Sequence, residues 1–267
     1  MRVAPSLFVS HGSPMFALEP GVLGPALRQL GRSLADVSAV VVVSPHWQTQ
    51  GVRVSASASP ATIHDFSGFP APLYALQYTP PGDPALAVEV VRRLVDAGFG
   101  ATIDAARGLD HGAWVPLRYL KPEADLPVLQ VSLPRDIDAA GALRLGRALA
   151  PLRSRGVLVV GSGSLTHNLY EFRQTIRDPE YARAFADWVA DAVHRRDVDA
   201  LVAYRDRAPH AQRAHPTEEH YLPLLVAVGA SGEDEPGQWI PGGMTYGVLS
   251  MDSFGFGFPE GAVGLAA

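Results

Sequence analysis

Ala39-Val40-Val41-Val42-Val43-Ser44-Pro45-His46-Trp47 is the stretch on which the fold turns. Its first five residues are apolar without alternation, four of them β-branched, and Ser44-Pro45 closes the run. A strand with one wet face alternates apolar and polar residues, whereas a strand covered on both faces does not. The run therefore predicts a central strand sandwiched between two layers. Val157-Leu158-Val159-Val160, followed by Gly161-Ser162-Gly163-Ser164-Leu165-Thr166, reads the same way.

Working outward, shorter β-rich runs predict strands over Val3 to Val9, Val52 to Ala56, Pro127 to Leu133 and Tyr246 to Ser250. Helical spacing separates them. Asp83-Pro84 is an N-cap with proline at the first helical position, followed by Leu86, Val90, Val91, Leu94 and Val95 on one face and by Gly98 as a stop. Asp178-Pro179 repeats that entry signal, and Tyr181, Phe185, Trp188, Val189, Ala192 and Val193 form an apolar stripe suited to core packing. Further helices are predicted over Gly21 to Leu34, Ala139 to Arg153 and Tyr221 to Val228. The alternation implies an α/β fold with a central mixed sheet and helices on both faces. No repeat or linker divides the 267 residues, so one domain over 1–267 is expected.

The composition, 47% hydrophobic and 18% charged, supports a sizeable core and excludes a disordered chain. A net charge of −5 without clustered Lys and Arg argues against nucleic acid as a partner. There are no cysteines, so disulfides, thiolate metal sites and cysteine nucleophiles are excluded, and any transition metal must be held by His, Asp or Glu. The N-terminus reaches the polar Ser10-His11-Gly12-Ser13 too soon for a secretory leader, and no apolar run has membrane-spanning length. A soluble, cytoplasmic protein with no membrane partner is expected.

The histidines carry the chemistry. His11 follows Leu7-Phe8-Val9-Ser10, His46 follows the valine run, and His167 follows the Gly-Ser loop after Val160. Ligands of α/β sheets bind beyond the carboxyl ends of strands, so three strands could bring three imidazoles together there as a metal site. Gly12, Gly161 and Gly163 would ease close approach to the backbone. In Asp110-His111-Gly112 an acid stands beside a histidine at a helix start, either as a plain N-cap or as part of a site. His215-Pro216-Thr217-Glu218-Glu219-His220 opens another helix, where Pro223 fits only in the first turn. Helix-dipole complementarity explains the two glutamates but not the histidine beside them. His64, in Thr62-Ile63-His64-Asp65-Phe66-Ser67-Gly68-Phe69-Pro70, sits in an aromatic stretch that reads either as a pocket wall or as a surface loop. His194 and His210 read as solvated residues.

Ser10-His11-Gly12-Ser13-Pro14, Ser44-Pro45-His46-Trp47, Thr62-Ile63-His64-Asp65-Phe66, Asp110-His111-Gly112, Thr166-His167-Asn168-Leu169 and Glu219-His220-Tyr221-Leu222-Pro223 together resemble the DOPA 4,5-dioxygenase family of class III extradiol ring-cleavage dioxygenases. The resemblance runs from about Leu7 to the last predicted strand. It implies one non-haem divalent metal, iron(II) for activity with zinc(II) able to occupy the site. His11, His46 and His220 would be its ligands, with Glu219 as the alternative third ligand. It implies His167 and His111 as acid/base residues. The partners would be a small aromatic diol and O2, with His64, Phe66 and Trp47 as substrate-binding candidates. A zinc hydrolase and a non-enzymatic metal-binding protein are the competing readings; the absence of an HExxH motif weighs against the first.

Overall fold

The computed structural model describes residues 3–172, 179–259 and 261–262. Ten strands are found among them: β1 Ser6–Ser10, β2 Ala39–Thr49, β3 Val52–Ser55, β4 Ala101–Asp104, β5 Val128–Pro134, β6 Val157–Gly163, β7 Gln238–Ile240, β8 Met244–Thr245, β9 Leu249–Ser250 and β10 Ser253–Phe256. Eight form one sheet in the order β4-β3-β5-β2-β6-β1-β10-β7, while β8 and β9 pair separately. The four central strands, β5, β2, β6 and β1, run parallel; β3 joins β5 and β10 joins β1 in antiparallel fashion. The sheet is therefore mixed, as the α/β reading expects.

The valine run explains the layering. Val41, Val43, Val157 and Val159 face the helices Pro84–Asp96, Ala139–Leu149, Pro179–His194 and Leu222–Ala230. Val40, Val42, Leu158 and Val160 face the helices Leu23–Arg32 and His111–Leu120 on the other side. All four valines of β2 are fully buried, and each such side chain contributes on the order of 1.5–3 kcal/mol. An alternating strand could fill only one of these layers. The cap at Asp83 forms as expected, its carboxylate accepting from Leu86 N at 2.9 Å, and Gly98 ends that region with φ +85°. The cap expected at Asp178 lies outside the described residues.

Three expectations change. β2 does not stop at Val43: it continues to Thr49 with a register shift between Ser44 and Gln48, so His46 sits on a bulge inside the strand end rather than beyond it. Tyr246 to Ser250 is not a strand of the main sheet: only its end, Leu249–Ser250, is extended, and it pairs with Met244–Thr245 apart from that sheet. Tyr246 and Gly247 turn with φ +50° and +77°, and the last sheet strand is β10, Ser253–Phe256. Gly161 and Gly163 belong to β6 rather than to a loop. A Cβ there would lie 1.9 Å from Pro223 O and 2.2 Å from His220 O, so these glycines let the entry of the helix Leu222–Ala230 rest on the strand.

Candidate metal centre

Five histidines meet at the carboxyl edge of the parallel strands. His11 leaves β1, His46 sits at the end of β2, and His167 follows β6; His111 opens the helix His111–Leu120, and His220 precedes the helix Leu222–Ala230. The rings of His11, His46 and His220 form a near-equilateral triangle with centroid separations of 5.0, 5.1 and 5.6 Å. His111 lies 4.0 Å from the His46 ring and 5.3 Å from the His11 ring, and His167 stacks on His220 at 3.5 Å. By donor-atom distance the set divides into His11, His46 and His111, and into His167, Glu219 and His220, each with its atoms within 4.8 Å. His46 and Asp65 keep about a fifth of their side-chain surface exposed, so the site opens to solvent on their side.

The hydrogen bonds fix which ring nitrogens are free. Ser162 Oγ donates to the Gly112 carbonyl, so it accepts from His11 Nδ1 at 2.9 Å and leaves His11 Nε2 as a bare lone pair. His220 Nδ1 donates to Glu219 Oε1 at 3.0 Å, leaving Nε2 without a proton. His111 Nδ1 donates to Asp65 Oδ2 at 2.9 Å. His11 Nε2 and His46 Nε2 then face each other at 3.0 Å. His46 Nδ1 stands 3.7 Å from Asp65, so no hydrogen bond there fixes its tautomer, and a cation between the rings would take a lone pair from both Nε2 atoms.

Electrostatics agree. Burial, reinforced by the neighbouring histidines, pushes His11 and His220 well below the ordinary histidine range. Burial and then His111 lower His46 to about 3, against the opposing pull of Asp65. Burial lowers His167 to about 4, with Glu219 opposing it. These four rings are neutral at pH 7, the form that binds metals. At Asp65 burial acts upward, but the hydrogen bonds from His111 prevail and hold the carboxyl at about 2. An all-imidazole donor set, with Nδ1 hydrogen-bonded in His11, His111 and His220 and no thiolate, fits a divalent transition metal. The cluster is such a site.

The substrate-side candidates separate. Phe66 presents an edge to His111 at 5.7 Å and so borders the site. His64 is turned away: its Nε2 bonds to the Leu76 carbonyl at 3.0 Å, and its ring packs among Phe66, Tyr74 and Trp114. Trp47 is buried beneath the Arg107 guanidinium, 5.0 Å from its ring. Asp65 and Ser162, which orient His111 and His11, went unnoticed in the sequence. Both stood inside motifs quoted above, as short polar side chains with no candidate ligand next to them in the chain.

Comparison with known proteins follows this geometry. A family model described as the catalytic LigB subunit of aromatic ring-opening dioxygenase matches residues 6–257. The chain is 38% identical over 260 residues to a protein of Beta vulgaris named 4,5-DOPA dioxygenase extradiol, covering 96% of this chain and 97% of that one. It is 40% identical over 259 residues to a protein of the same name from Escherichia coli (strain K12), covering 95% and 94%. The crystal structure of an uncharacterized Escherichia coli K12 protein superposes with a TM-score of 0.80 at 36% identity, covering 94% of this chain and 99% of that one. No helix among the described residues is long and apolar enough to cross a membrane. By sequence and by fold alike, the chain belongs to the LigB family of aromatic ring-opening dioxygenases.

Proposed function

We propose that this protein is an extradiol dioxygenase that opens a DOPA-like catechol with O2 at one non-haem iron(II), held by His11, His46 and His220. The observation that carries this reading is the convergence of imidazole nitrogens at the carboxyl edge of the sheet, with His11 Nε2 and His46 Nε2 only 3.0 Å apart. Glu219 is spoken for: its Oε1 accepts from both His220 Nδ1 and Thr217 Oγ1, which favours His220 as the third ligand. In the reaction the carbon–carbon bond beside the diol breaks, and both atoms of O2 enter the ring-opened product.

Iron(II), when bound, supplies Lewis acidity toward the catechol oxygens and the electrons that activate O2. The remaining work belongs to side chains. His167, neutral because burial holds it near 4, takes a proton from the catechol hydroxyl as general base. His111 is the second proton carrier, its Nδ1 occupied by Asp65 and its Nε2 free to act. Phe66 and the exposed edge at His46 border the side from which a flat substrate enters. We read the chain as one catalytic domain because β1 and β10, from opposite ends of the sequence, pair in the same sheet. We place it in the cytoplasm, a reducing compartment with which a chain free of cysteine is compatible.

The test is oxygen uptake with DOPA after anaerobic loading with iron(II), followed by the appearance of a yellow semialdehyde-type product. Equal consumption of O2 and catechol supports the reading. Iron-loaded protein that consumes no O2 across a panel of catechols would overturn it. Hydrolytic turnover by zinc-loaded protein under nitrogen would favour the zinc-hydrolase reading instead.

A further inference from the structure

We infer that Asp65 is a positioning residue for the ring-opening reaction, holding His111 in the Nδ1–H tautomer so that Nε2 is the atom that handles protons. The inference rests on the reading of His111 as a proton carrier. Asp65 grips His111 with both oxygens: Oδ1 accepts from the backbone N–H at 2.8 Å and Oδ2 from the ring Nδ1 at 2.9 Å. The backbone bond fixes the carboxylate relative to the helix start, so the ring bond fixes the imidazole in turn. Because an ionised carboxylate only accepts, Nδ1 carries the proton, and the lone pair of the neutral ring then lies on Nε2.

The segment carrying Asp65 is splinted to the element carrying His111. Ile63 N donates to the Leu109 carbonyl at 2.8 Å, Leu109 N to the Ala61 carbonyl at 2.8 Å, and Trp114 Nε1 to the Ile63 carbonyl at 3.0 Å. Gly108 makes this contact possible, since a Cβ there would stand 2.2 Å from Ala61 O. Phe66 adds an aromatic edge against the same imidazole. His46 Nδ1 is 3.7 Å from Asp65 Oδ2, beyond hydrogen-bond distance, so the carboxylate serves His111 first.

The Asp65→Asn variant isolates the tautomer. An asparagine that keeps its oxygen on the His111 backbone N–H turns its amide toward Nδ1, which must then accept, and the ring proton moves to Nε2. In iron-loaded Asp65→Asn we expect unchanged metal stoichiometry, a KM for catechol close to wild type and kcat lowered by about 10²-fold. In zinc-loaded protein, ¹⁵N shifts of the His111 ring should report Nδ1–H in wild type and Nε2–H in the variant. A kcat within a factor of about two of wild type, beside a crippled His111→Ala, would overturn the inference while sparing the role of His111. Full turnover by His111→Ala would overturn both. A wild-type ¹⁵N spectrum with the proton on Nε2 would sink the inference even if the variant did not fold.

Discussion

His46 and His215 share a depressed pKa and differ in what their ring nitrogens meet. His215 is fully buried and His46 keeps about a fifth of its side chain exposed, yet burial lowers each to about 3. His215, however, gives its Nε2 proton to the Leu165 carbonyl at 2.9 Å and is walled by Phe185, Tyr204 and Tyr221. His46 aims Nε2 at His11 Nε2 instead. A neutral histidine is thus a structural hydrogen-bond donor when its proton finds a carbonyl, and a candidate ligand when its nitrogen meets the nitrogen of another imidazole. Burial depresses both pKa values; only the direction of the nitrogen separates the roles.

Removing a ligand should break the comparison most sharply. His11→Ala is expected to lose both metal and turnover entirely, read by metal analysis and oxygen uptake on the same sample, because in the proposed centre the three rings share one ion. Retention of full metal content would move the centre to the other donor group, around His167, Glu219 and His220.

His167→Ala ranks next. This ring stacks on His220 at 3.5 Å without a bond that would make it indispensable to the triangle. Turnover should fall by about 10²–10⁴-fold with metal content unchanged. An emptied site would show that His167 is a ligand and that the division between holding metal and moving protons is drawn in the wrong place.

Ser162→Ala probes the supporting hydrogen bonds. Its hydroxyl accepts from His11 Nδ1 and thereby dictates which nitrogen is bare. Metal affinity should weaken by about 10- to 100-fold, measured by competition with a chelator. An unchanged affinity would mean that packing alone orients His11.

How much of this was legible follows from which interactions leave a pattern. The valines of β2 and β6 were readable because burial on both faces demands an unbroken apolar run. β4, Ala101–Asp104, was not, because two of its four residues are exposed at the sheet edge. β10 hid behind Gly255, whose missing Cβ makes room for Phe258, 2.7 Å away. The histidines stood out by their position after strands, since packing places no histidine there without a reason. Asp65 could not stand out in the same way. Its role depends on a residue 46 positions away in the chain, and no local spacing encodes that distance. The nearby His64 drew attention instead, although its ring is committed to Leu76 and to aromatic neighbours.

The smallest expected effect tests the structural side of the comparison. His215 has a folded pKa of about 3 against an ordinary value of 6.5. Between those values the unfolded chain binds more protons, so stability rises with pH. The contribution of neutral His215 is complete above pH 6.5 and is lost as pH falls toward 3, at up to about 1.4 kcal/mol per pH unit. His215→Leu keeps an apolar fit among Phe185, Tyr204 and Tyr221 but leaves the Leu165 carbonyl unpaired, a loss of about 1–3 kcal/mol at pH 7. The variant should therefore be less stable than wild type at neutral pH, and the gap should close as the medium is acidified below 6.5. Urea unfolding of the metal-free proteins at pH 7 and pH 5 measures this directly, with the acid response of His11, His46, His167 and His220 common to both. Because His215 spends its proton on a carbonyl, the metal-loaded variant should keep its metal and its kcat at pH 7. A gap that stayed constant with pH would show that His215 is not held neutral by burial. A loss of metal would show that its ring supports the centre after all, and the contrast with His46 would narrow to one of degree.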